Sequence, residues 1–78
     1  MNTSPITKDV IATKLWFDGD KMCLSLKDGR DIFVPISWFS SLQNASKAQR
    51  ENFRFICGGE GIHWDDLDED ISVEGLLY

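Results

Sequence analysis

The sequence predicts a small single α+β domain, an antiparallel β-meander of three to four strands with two or three short helices. Three observations predict it. Strand-like runs of β-branched and aromatic residues are separated by two Asp-Gly turns in the first half of the chain. A Ser-x-x-Gln spacing with helix-forming neighbours follows in the middle. With 78 residues, 42% hydrophobic and 27% charged, the chain has the balance of one folded domain, near the lower size limit for folding without staples.

Residues 1–8 read as a flexible leader, polar and interrupted by Pro5, and residues 9–78 as the domain. Val10 to Phe17 has strand composition, and Asp18-Gly19 supplies a turn. Met22, Leu24 and Leu26 then alternate with Lys21, Cys23, Ser25 and Lys27, the period of a half-buried strand. Asp28-Gly29 favours a two-residue type I′ turn into a third strand, Asp31 to Val34, which Pro35 closes. Ser37 is placed to cap a short helix from Trp38 to Leu42 that would turn Trp38, Phe39 and Leu42 towards the sheet. Ser46 and Gln49 form a capping box for a second helix, from Lys47 to about Phe53, exposing Lys47, Arg50 and Glu51. From Arg54 to Cys57 the pattern fits helix or strand equally. Gly58-Gly59 breaks it, Gly61 to Trp64 reads as a fourth strand with His63 facing away from Ile62 and Trp64, and Asp65 to Asp70 as a charged loop. Ser72 caps a last turn whose apolar contacts are Ile71, Val73, Leu76 and Leu77.

Composition narrows the function. A net charge of −5, with eight scattered basic residues, opposes a phosphate-gripping surface, so direct nucleic-acid binding is not expected. Acidity suits a soluble protein that binds other, particularly basic, proteins, and also serves solubility alone. Cys23 and Cys57 lack CxxC spacing, no apolar leader precedes them, and no apolar run approaches the roughly 20 residues of a membrane span. The expectation is a cytoplasmic protein with two reduced, packed thiols and no membrane segment.

Few residues suggest chemistry. Asp66, Asp68 and Asp70 have the opening spacing of a calcium loop, but Ile71 stands where that loop needs Gly and Leu77 where it needs Glu. His63 is the single histidine, and no nucleophile is placed beside it by any known signature, so it reads as structural. Gly58-Gly59-Glu60-Gly61 lacks the Lys of a phosphate loop. No cofactor, metal or catalytic set is expected. Trp16, Phe17, Trp38, Phe39, Phe53, Phe55 and Trp64 are too many for one side of a small sheet, so some reach the surface, where aromatics dominate binding energetics.

Leu26 to Phe39, with Asp28-Gly29-Arg30, Pro35 and Trp38, resembles the first conserved block of a small bacterial family catalogued as domain of unknown function 2442. Leu42 to Phe53 resembles its second block. The tail, with Gly61-Ile62-His63-Trp64 and Asp68-Glu69-Asp70-Ile71, is similar to its most specific signature. Two departures stand out. Asp65 occupies a position where Pro is usual, which should loosen the turn, and Phe39-Ser40-Ser41-Leu42 lacks a basic residue found there in the family. The resemblance implies an α+β fold and association with a second small protein encoded alongside, in pairs proposed to be toxin–antitoxin systems. Some relatives carry a helix-turn-helix after this domain; none is expected after Tyr78 here, so direct DNA reading by this chain is not expected.

The expected function is thus a small acidic, non-enzymatic protein-binding module, antitoxin-like or accessory. A mobile-element inhibitor that occupies a basic groove of a nucleic-acid-processing protein is the alternative, and an enzyme using His63 a second. Expected partner-binding residues are Trp38, Phe39, Arg50, His63, Trp64, Asp66, Asp68, Glu69 and Asp70. The expected partner is another small protein encoded next to it, with a homodimer left open.

Overall fold

The computed structural model describes residues 10–77, and the leader expected over residues 1–8 lies outside the described residues. Strands β1 (Ala12–Asp18), β2 (Lys21–Leu26) and β3 (Asp31–Pro35) form an antiparallel meander in the order β1-β2-β3. A 3₁₀ turn (Ile36–Trp38) and two short helices, α1 (Ser40–Gln43) and α2 (Lys47–Glu51), lead to a second meander. Its strands are β4 (Phe53–Ile56), β5 (Gly61–Trp64) and β6 (Glu69–Ser72), followed by a 3₁₀ turn (Glu74–Leu77). The α+β class and the first meander are as the sequence predicts. The strand count is higher, because the ambiguous stretch after Asn52 is strand and because Glu69 and Asp70, expected in the charged loop, join Ile71 and Ser72 in pairing with β5.

Alternation decides which faces are dry. Leu15, Leu24 and Ile32 form one inward row of the first sheet, and Phe17, Met22 and Val34 the next. A bulge after Ala12 sets both Thr13 and Lys14 outside while Ala12 and Leu15 stay buried. In the second sheet Ile62, Trp64 and Ile71 face inward with Phe53 and Phe55 against them. These residues join Ile36, Leu42, Val73 and Leu76 in one hydrophobic cluster. The tail's Val73 and Ile71 are therefore core residues, as their spacing suggests.

Three local expectations change. The β2–β3 loop has three residues: Gly29 N–H donates to the Leu26 carbonyl at 3.0 Å and Leu26 N–H to the Arg30 carbonyl at 2.7 Å. Gly29 alone takes a positive φ, 98°, as in a type I turn followed by a glycine bulge, because the Asp28 carboxylate accepts from the Arg30 backbone N–H and holds Asp28 in an ordinary conformation. The expected Trp38–Leu42 helix is split: Ile36 is buried and starts a 3₁₀ turn, whose three-residue period carries Phe39 back towards the core and leaves Trp38 outside. Ser37 lies inside that turn and caps nothing. The Ser46–Gln49 capping box forms as expected, with α2 ending at Glu51. Of the two thiols, Cys23 is buried and Cys57 exposed in a left-handed loop, so the expectation of two packed thiols holds for Cys23 alone.

Gly59 packs against the backbone at the start of β1. Its φ is 100°, and a Cβ there would come within 2.8 Å of both the Ala12 carbonyl oxygen and Ile11 Cγ2. No helix among the described residues is long and apolar enough to cross a membrane.

Candidate partner-binding surface

Trp38 is 59% exposed and stands beside an open groove of about 540 Å³ lined with Phe39, Ile71, Ser72, Gly75 and Leu76. The groove exists because the 3₁₀ turn after β3 and the turn at the tail both pack their apolar residues downward and leave a furrow between them. Ser72 Oγ accepts from Gly75 N–H at 3.3 Å, fixing the far wall, and the Ser41 hydroxyl donates to the Glu69 carboxylate, tying α1 to β6. An indole beside an apolar furrow offers a large area at small entropic cost, the make-up of an interface anchor.

The other expected residues separate by role. Trp64 is fully buried, and its indole N–H donates to the Arg50 carbonyl at 2.8 Å. Arg50, expected on the surface, is half-buried: its Nε donates to the Leu42 carbonyl at 2.7 Å and its Nη2 to the Gln43 carbonyl at 3.0 Å. The guanidinium thereby supplies a donor to the Gln43 carbonyl and a second one to the Leu42 carbonyl, which also accepts from Ala45 N–H, at the end of α1 where helical partners run out. Trp64, Arg50 and Glu69 are braces of the fold. Asp66 accepts from Asn52 at 3.1 Å, and Asp68 occupies the left-handed corner of the β5–β6 turn with φ 51°. Of the four loop carboxylates expected to face a partner, Asp66, Glu69 and Asp70 are engaged with the chain's own side chains.

His63 and Asp70 lie on the outer face of the second sheet, away from the groove, in the cross-strand row Arg54–His63–Asp70. His63 Nδ1 pairs with Asp70, and Nε2 with Asp65 Oδ1 at 2.8 Å. Arg54 bonds the same Asp65 carboxylate through Nε and Nη2, both at 3.3 Å. A ring with a carboxylate at each nitrogen satisfies both only as imidazolium. The hydrogen bond that His63 donates to Asp70 and the charges of Asp70 and Asp65 accordingly hold His63 above its ordinary value, against desolvation and Arg54. Arg54 and His63 hold Asp65 below the usual carboxylate range. An imidazolium without a free lone pair is a poor general base. Asp65, expected to loosen the turn, is instead the link between Arg54 and His63, and Asp68 N–H closes the turn on its carbonyl at 3.4 Å.

The Asp66, Asp68 and Asp70 carboxylates do not converge, and among the described residues no group of three or more His, Cys, Asp or Glu is arranged to hold a metal ion. The sequence reading missed Phe33, which is 60% exposed. Its signal was present: Ile32 and Val34 alternate around it, so an inward pair forces Phe33 outward.

Six strands in two linked meanders and an apolar groove at one end define a small α+β domain with an unfilled surface. The chain belongs to the family described as protein of unknown function DUF2442, whose profile matches residues 12–78. Among solved structures it is similar to a protein of unknown function from Rhodospirillum rubrum, with 28% identity and a TM-score of 0.78, covering 90% of this chain and 87% of that one. No curated protein matches.

Proposed function

We propose that the protein is a non-enzymatic protein-binding module acting in the cytoplasm, an antitoxin-like or accessory component of a bacterial two-protein pair. Its partner is a second small protein encoded beside it. The observation that carries this reading is Trp38, 59% exposed at the mouth of an apolar groove that no residue of the described chain fills. A soluble domain seldom leaves an indole and a furrow together without a use for them. The engagement of His63 by two carboxylates supports a structural rather than a proton-transferring histidine.

Co-purification with the product of the adjacent gene tests the proposal. Binding at micromolar concentration or tighter, lost on Trp38→Ala, is expected. Absence of binding, with the toxicity of the neighbour unaffected by this protein, would sink it.

A further inference from the structure

The outer face of the first sheet is a second surface, apolar along its middle row and charged in the rows on either side. The register sets three cross-strand rows on it: Lys14–Ser25–Asp31, Trp16–Cys23–Phe33 and Asp18–Lys21–Pro35. The middle row is apolar throughout. Trp16 is 39% and Phe33 60% exposed, and Cys23 between them is covered to 2%. One corner of the face is basic, Lys14, and both corners adjoining it along an edge are acidic, Asp31 and Asp18. None of these three has an ion-pair partner among the described residues. Lys14 and Asp31 are two strands apart, so their backbones lie about 10 Å from each other. The Ser25 hydroxyl donates to Asp31 at 2.8 Å and steadies that carboxylate.

We infer that this face docks on the same face of a second copy, as an isologous dimer about a two-fold axis lying between the sheets. Rotation about an axis parallel to the strands lays β1 of one copy over β3 of the other. Each Lys14 then stands over an Asp31, each Trp16 over a Phe33, and Cys23 over Cys23. Rotation about an axis across the strands exchanges the outer rows instead, bringing each Lys14 over an Asp18 and the apolar row over itself. Either way the apolar row is buried against its like and every Lys14 meets a carboxylate; the first rotation also sets Lys21 over Lys21, a repulsion that the second avoids by setting Lys21 over Ser25. Charges so placed fix register as well as adding attraction. Both rotations keep the strands of the two sheets aligned within the range that facing sheets adopt.

The contact is small. Three strands of five to seven residues give a footprint of about 14 by 20 Å per copy, smaller than a standard stable interface, so a transient dimer that dissociates in the high micromolar range is expected. The groove beside Trp38 contributes none of the three rows, so a second copy and a partner protein occupy different surfaces.

Sedimentation equilibrium of the full chain, from about 5 to about 500 µM in physiological salt, tests the inference. A reversible monomer–dimer equilibrium is expected, weakened about tenfold or more by Lys14→Glu and, independently, by Phe33→Thr. The swap Lys14→Glu with Asp31→Lys should restore association if the axis follows the strands, and Lys14→Glu with Asp18→Lys if it crosses them. Circular dichroism establishes that each variant is folded. A monomer at every concentration overturns the inference, as does a dimer indifferent to both single substitutions. Failure of both charge swaps to restore association overturns it too.

Discussion

Trp64→Phe should destabilise the domain far more than its conservative appearance suggests. The indole is fully buried, touches Phe53 with ring centroids 6.2 Å apart, and donates to the Arg50 carbonyl. Phenylalanine leaves a void of about 40 Å³, worth about 1 kcal/mol if the site does not collapse. It also strips the Arg50 carbonyl of its donor, which costs about 1–3 kcal/mol for a buried acceptor. The sum, about 2–4 kcal/mol, is a large part of the roughly 4–12 kcal/mol that a chain of this length holds. The melting temperature should fall by about 8–30 °C. Urea unfolding followed by far-ultraviolet circular dichroism measures the loss directly, with an unchanged slope expected because the exposed surface on unfolding is unchanged. A loss below about 0.5 kcal/mol would refute the assignment of Trp64 as a brace and return it to the set of surface anchors.

Two further perturbations act on the outer face of the second sheet and on Gly59. His63 is held above its ordinary value of 6.5, so its contribution to stability is fully present below that value and is lost as pH rises through the raised folded one. Thermal melts should therefore decline into mildly alkaline pH, and His63→Gln should flatten that decline; a wild-type melt that rises over the same interval contradicts the imidazolium. Gly59→Ala should unfold a substantial fraction of the protein at growth temperature, since the new Cβ meets the Ala12 carbonyl at 2.8 Å in a left-handed conformation. Wild-type stability in a denaturant titration would show that Gly59 does not pack against the start of β1.

The first meander was legible because alternation and Asp-Gly turns act locally, within a few residues. The second was only half legible. Phe53, Arg54, Phe55 and Ile56 alternate over too short a span to separate strand from helix by periodicity, and only pairing with Gly61 to Trp64 decides it. Glu69 and Asp70 looked like loop because charge dominates their neighbourhood. They are strand because Ile71 must enter the core, and Ile71 carries its neighbours into register with β5. For the site, exposure of Trp38 followed from a 3₁₀ rather than an α period, a distinction of one residue that sequence spacing does not resolve. The role of Arg50 was hidden for a different reason. Its partners are backbone carbonyls at the end of α1, and a backbone partner leaves no mark on composition or motif.

The groove beside Trp38 is the proposed seat of a second protein. Isothermal titration of the full chain with the product of the adjacent gene, beside the Trp38→Ala variant, tests this most directly. Trp38 is exposed, so its removal should leave the urea midpoint within about 0.5 kcal/mol of wild type while binding weakens by about tenfold or more. Binding that survives Trp38→Ala unchanged would contradict the claim.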